Sequence, residues 1–140
     1  MAERIGIDTG IKTFSLNDKC EVSFNPTDIS FVERLFNTFD TLDKKQDAYK
    51  NEIDSVKGTR EVFAIGKKRD LEMRELVDGV FQAPVCDALF GDMNVYAMSG
   101  GLPVWCNLML AVMDEVDTTF TREQKATNPR VQKYMQKYHK

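Results

Sequence analysis

Histidine is almost missing from this chain. His139 is the only one, one residue from the C-terminus. That excludes Ser-His-Asp and Cys-His catalysis in any stable geometry, and it excludes multi-histidine metal sites. Cysteine is scarce too: Cys20, Cys86 and Cys106 are odd in number and widely spaced, each close to apolar residues. They read as reduced, partly buried residues of a cytosolic protein, not as a disulfide frame or zinc ligands. No apolar run approaches the ~20 residues of a membrane span, so no membrane contact is expected. The opening Met-Ala-Glu-Arg-Ile lacks the basic region and apolar stretch of a signal peptide. No phosphate loop is present, because Ser99-Gly100-Gly101 is not followed by Lys and reads as a flexible joint. Asp114, Glu115 and Asp117 fall in a helical pattern without a ligand loop, which makes them a solvated face, not a metal site. The residues therefore point to no enzyme, no cofactor and no metal.

What is present is an ordinary globular composition. The 140 residues, 42% apolar and 29% charged, fit one domain over residues 1–140 with a core that needs no staples. Net charge is −3, but unevenly spread. Residues 1–120 carry 13 Lys/Arg against 21 Asp/Glu. Residues 121–140 carry Arg122, Lys125, Arg130, Lys133, Lys137 and Lys140 against Glu123 alone. An acidic body with a basic tail can bind acidic partners, or can dock its tail on itself or a neighbouring copy. Tyr134 and Tyr138 interleave with the tail's cations, a pattern that can touch nucleic acid. The acidic body would repel the same polyanion, so nucleic acid is not the expected partner.

The expected fold is α+β and mostly α: an N-terminal β-hairpin (residues 1–24), a helical body (25–120) and a basic tail (121–140). Phe14 and Leu16 alternate with polar residues, Asn17-Asp18-Lys19 supplies a turn, and Val22 and Phe24 alternate again. Ile5 and Ile7 are candidates for a short third strand. Residues 25–58 then read as one long amphipathic helix. Asn25 is its expected cap, with Pro26 at the first position and Asp28 in the first turn; Lys57-Gly58 is its expected left-handed end. Val32, Leu35, Phe39, Leu42, Gln46, Tyr49, Ile53 and Val56 follow in steps of three and four. At ~1.5 Å per residue this helix would run roughly 45 Å, longer than a small domain needs for its own core. The narrow stripe beyond Leu42 suits a coiled-coil-like contact, with Gln46 selecting register, or a second helix packed along it. The candidate second helix starts at Thr59, with Phe63, Met73, Leu76, Val77 and Val80 on its apolar side. Gly66 could divide it, and Ala83-Pro84 stops it.

Further on, Val85 to Phe90 reads as a short helix ended by Gly91. Pro103 opens the most hydrophobic helix, with Trp105, Leu108, Met109, Val112, Met113 and Val116 on one side. This is the expected central helix, with Trp105 buried against Leu108, Val112 and the Phe81–Phe90 turn. Asn128-Pro129 repeats the cap-and-proline start, and Val131, Tyr134, Met135 and Tyr138 line a last amphipathic helix. Met93, Met98, Met109 and Met113 cluster around Trp105 in the sequence, as core fillers or as an adaptable binding surface.

One motif invites an enzymatic reading. Ile7-Asp8-Thr9-Gly10 contains the Asp-Thr-Gly of aspartic proteases. Those enzymes need a β-rich body before the motif and a small residue after it, whereas seven residues precede Asp8 and Ile11 follows Gly10. A polar turn beside an N-terminal strand accounts for the same residues.

The stretch from Glu75 to Leu110 carries a resemblance. Glu75-Leu-Val-Asp-Gly-Val-Phe81, Val85-Cys-Asp-Ala-Leu-Phe-Gly-Asp92 and Gly101-Leu-Pro-Val-Trp-Cys-Asn107 resemble the siphophage tail assembly chaperones of Gram-positive phages and prophages. The ending, Glu123 through Asn128-Pro129-Arg130 to Tyr134, is similar by pattern. The resemblance implies a helper in the bacterial host cytoplasm. It would bind the tape-measure protein, keep its apolar helices soluble and aid recruitment of tail-tube subunits. A structural minor tail or head–tail component is the second expectation. Under either, the expected partner-binding residues are Leu42, Tyr49, Ile53 and Val56 on the long helix and Arg130, Lys133, Tyr134 and Lys137 on the tail, in a chain that self-associates as a homo-oligomer.

Overall fold

The computed structural model describes residues 1–126 and 128–138, the side chains of Tyr134 and Tyr138 excepted. The chain is mostly helical, at 64%, with a small N-terminal antiparallel hairpin followed by long helices. Strands β1 (Lys12–Leu16) and β2 (Cys20–Phe24) pair with Phe14 opposite Val22 and Leu16 opposite Cys20. Their turn holds Asn17 and Asp18 left-handed, at φ 52° and 57°, which short polar side chains tolerate. Alternation puts Phe14, Val22 and Phe24 on one face. Phe24 stacks on Phe14 at 4.8 Å and on Phe31 at 4.2 Å, and Phe81 lies 6.3 Å from both Phe24 and Phe31. This aromatic chain fastens the hairpin to the helices. Residues 1–11 form no strand, and Ile5 and Ile7 are exposed, so the expected third strand is absent from the described residues.

Helix α1 runs Ile29–Ser55. Its N-cap is Asp28, whose side chain accepts from the Ser30 N–H at 3.0 Å. Asn25 was expected in that role. Its side chain instead accepts from the N–H and hydroxyl of Thr27, making a local turn that delays the helix. Helix α2, Thr59–Phe81, follows at once. Gly58, at φ −91°, is not a left-handed end for α1 but the N-cap of α2, so Thr59 already lies inside the helix. Gly66 does not divide α2. A Cβ there would sit 3.3 Å from the Tyr49 hydroxyl, so glycine allows α1 and α2 to approach.

Helix α3, Val85–Phe90, ends at Gly91. The expected joint at Ser99-Gly100-Gly101 is a tight hairpin: β3 (Met98–Ser99) pairs with β4 (Leu102–Pro103). Gly100 and Gly101 at φ 63° and 84° supply the turn that two left-handed residues require. Helix α4, Val104–Lys125, is the central helix. The N–H groups of Val104 and Trp105 donate to Ala97 and Val95, so its start is tied down. Trp105 is buried as expected. Its ring meets Phe39 at 5.5 Å, and its Nε1–H donates to Gln46 Oε1 at 2.7 Å. Helix α5, Pro129–Tyr138, starts with the Arg130 N–H donating to the Asn128 side chain at 3.0 Å. One core cluster joins Leu35 and Leu42 of α1, Met73, Val77 and Val80 of α2, Cys86 of α3 and Met109, Val112 and Val116 of α4.

Candidate association surfaces

Most of the long seam is spent inside the chain. Leu42 is fully buried and belongs to the core, which takes it out of the expected partner surface. Gln46 is occupied by Trp105 and sets the pairing of α1 with α4, not the register of a coiled coil. Ile53 and Val56 are half-buried at the far end of α1. Glu52, one residue before Ile53, bonds Arg69 of α2, and Arg69 also holds Glu72 at 2.9 Å. That hydrogen bond holds the Glu72 carboxyl below its ordinary value. The second helix packed along the stripe is therefore α2.

Tyr49 is the expected residue that keeps a surface. It stacks on Tyr96 at 4.3 Å with an interplanar angle of 12°. Together with Val62, Phe63, Gly66, Lys67, Asp70, Asp92 and Asn94 it lines an open cleft of about 450 Å³ beside the α1/α2 contact. Phe63, expected on the buried face of α2, is 63% exposed on the lip of this cleft. The floor is Gly66, which contributes no side chain. The Tyr96 hydroxyl is buried without a hydrogen-bond partner among the described residues. Burial, then the nearby Tyr49, pushes its pKa up to about 12.

The walls around the cleft are held by one buried cation. Arg74 of α2 pairs with Asp70 and with Asp87 of α3, each at 2.9 Å. It also donates to the carbonyls of Gly91 at 2.7 Å and Met93 at 2.6 Å. Asp70 accepts in turn from the Val95 N–H at 2.7 Å, and Asp78 accepts from the Cys86 N–H at 2.9 Å. This fixes the α3–β3 connection against α2. The sequence shows Arg74 only as one cation on a helix, with its partners 4 to 19 positions away.

Asp8 Oδ1 accepts from the Gly10 N–H at 2.9 Å, and Asn25 donates to the Thr9 carbonyl at 2.9 Å. Gly10 sits at φ +71°, with room for no Cβ because Asn25 Nδ2 would be 2.7 Å away. Asp-Thr-Gly is thus a polar turn latched by Asn25. Burial pushes the Cys86 thiol well up and the Cys106 thiol up, which keeps both protonated. His139 lies outside the described residues. Among the described residues no group of three metal-ligating side chains gathers, and no helix is long and apolar enough to cross a membrane.

Compared with known proteins, the chain matches no family, no curated protein and no solved structure. Its surfaces must be read on their own chemistry. The tail residues Arg130, Lys133 and Lys137 lie on α5, and the Tyr134 side chain lies outside what is described. The four methionines split: Met109 and Met113 pack in or against the core, while Met93 and Met98 are exposed.

Proposed function

We propose that this chain is a non-enzymatic binding protein of bacterial phage assembly, a tail assembly chaperone working in the host cytoplasm. Its partner is an apolar helical segment of a tape-measure protein, held soluble until tail-tube subunits cover it. The observation that supports the reading best is the cleft beside Tyr49. Tyr49, stacked on Tyr96, with Val62, the exposed ring of Phe63 and Gly66 give the cleft an apolar part, and Lys67, Asp70, Asp92 and Asn94 complete its lining. Helix-in-groove recognition uses this kind of surface, with an amphipathic helix laying spaced apolar side chains into a trough. The aromatic anchors supply contact area at small entropic cost.

The test is co-expression with a tape-measure protein. The parent chain should keep that protein in the supernatant and co-purify with it. Phe63→Glu changes an exposed side chain, so folding should persist while co-purification falls at least tenfold. Equal solubility with and without the chain would overturn the chaperone reading.

A further inference from the structure

Strand β1 has β2 on one side and, among the described residues, no strand on the other. Every second residue along that outer edge presents an N–H and a C=O with no ladder partner. The edge looks towards α4 across open space. At one end of β1, Lys12 lines a cleft of about 450 Å³ with Thr119, Phe120 and Glu123. At the other end, Ser15 and Leu16 line a second cleft of about 450 Å³ with Phe90, Val104, Leu108 and Ala111. No side chain lining this second cleft is charged. The charges nearby are Asp8, Lys12 and Glu123 at the first cleft, and Asp18 and Lys19 at the hairpin turn. Glu115 lies between the clefts by helical spacing, its carboxylate accepting from the Thr119 hydroxyl at 3.4 Å. The inward face of β1 is incompletely covered: Phe14 and Leu16 are half-buried, whereas Val22 and Phe24 of β2 are buried.

The same chain carries a segment that fits this edge. Ile5 and Ile7 flank Gly6, 83% and 78% exposed, and among the described residues 1–7 make no hydrogen bond. A latch keeps them off their own β1. Asn25 follows Phe24, the partner of Lys12, and its Nδ2 donates to the Thr9 carbonyl at 2.9 Å. The chain before β1 is thereby held on the β2 side, away from the outer edge of β1. We propose that Arg4–Ile7 of one copy add as a third strand to the outer edge of β1 in a second copy, and that the second copy returns its own segment. Phe14 and Leu16 alternate in the same phase as the isoleucines. An antiparallel register therefore sets Ile7 opposite Phe14 and Ile5 opposite Leu16, all four on the inward face, with Gly6 opposite Ser15. This one register serves both copies at once, because its two-fold axis passes between Gly10 and Ile11. Glu3 and Arg4 fall beside Asp18 and Lys19, each pair of opposite sign, so the ladder and the isoleucines choose the partner, not charge. Area makes the exchange reciprocal. One such segment buries roughly 300 Å² a side, and two bring the total to roughly the 1,200 Å² at which specific interfaces begin. This inference is independent of the chaperone reading, because it uses neither the Tyr49 cleft nor a tape-measure protein.

Sedimentation of the chain over a concentration series tests it. The parent should pass from monomer to dimer and go no further, since each copy has one segment and one edge. The double variant Ile5→Glu, Ile7→Glu changes only exposed side chains, so it should fold and raise the dimer Kd at least tenfold. Ala111→Arg, exposed on α4, should block the trough and do the same; should it fail to fold, the segment variant alone decides. Backbone amides of residues 4–7 should exchange with deuterium more slowly as concentration rises. A parent that is monomeric at every concentration would overturn the proposal, whether its segment is free or folded on its own β1. A dimer that the segment variant leaves unchanged would pair β1 with β1 instead, and would overturn it equally.

Discussion

At the residue scale, the polar groups that matter are those whose partners are far away in sequence. Gln46 occupies an apolar stripe because Trp105, 59 positions later, brings an indole N–H that must be satisfied in the core. Tyr96 is the reverse case, a ring well placed on Tyr49 with a hydroxyl left unpaired. That environment gives a pH signature. The phenol's ordinary value of 10.0 is raised to about 12 by burial, so the folded state keeps its proton where the unfolded chain releases it. The unfolded state then binds fewer protons, and stability falls as pH rises. The Tyr96 contribution should be intact below pH 10 and lost progressively towards pH 12. Denaturant melts of the parent and Tyr96→Phe across that range check it: the difference between them should shift in favour of the variant as pH rises. A constant difference would show that Tyr96 titrates normally.

At the element scale, α2 and α3 meet through the Arg74 side chain as much as through apolar contact. The guanidinium reaches Asp70, Asp87 and two carbonyls after α3, so removing it strands Asp70 and unpairs the connection. Arg74→Ala should therefore lower unfolding stability by about 3–5 kcal/mol, the range for breaking a buried ion pair from one side. Arg74→Lys should recover only part of this, since one ammonium cannot repeat the planar fork. Urea melts at neutral pH measure both, and a loss below about 1 kcal/mol for Arg74→Ala would place the tie at the surface. The elements themselves were largely legible. Strand alternation marked the hairpin, and three-four spacing marked each long helix. The errors came where one residue serves either of two local structures. Asn25 and Asp28 are both good caps, and only the turn through Thr27 selects the later one. Gly58 can end a helix or begin one, and its negative φ shows the second use. Gly100-Gly101 reads as a loose joint until Met98 pairs with Pro103 across it. The candidate site was legible only in part. Tyr49 lay on the visible stripe, but Phe63 looked like core because its spacing fits the buried face, and only packing shows that Gly66 holds a cleft open beside it.

At the scale of the whole molecule, the core is continuous from the hairpin to α4, and none of the described side chains of α5 belongs to it. The stability of one isolated copy should then be independent of α5. A chain ending at Lys125 should unfold within about 0.5 kcal/mol of the parent in dilute solution, as for changes outside a core. Urea melts of the parent and the shortened chain, each at one dilute concentration, check it. A loss above about 1 kcal/mol on removing α5 would make that helix part of its own chain's fold.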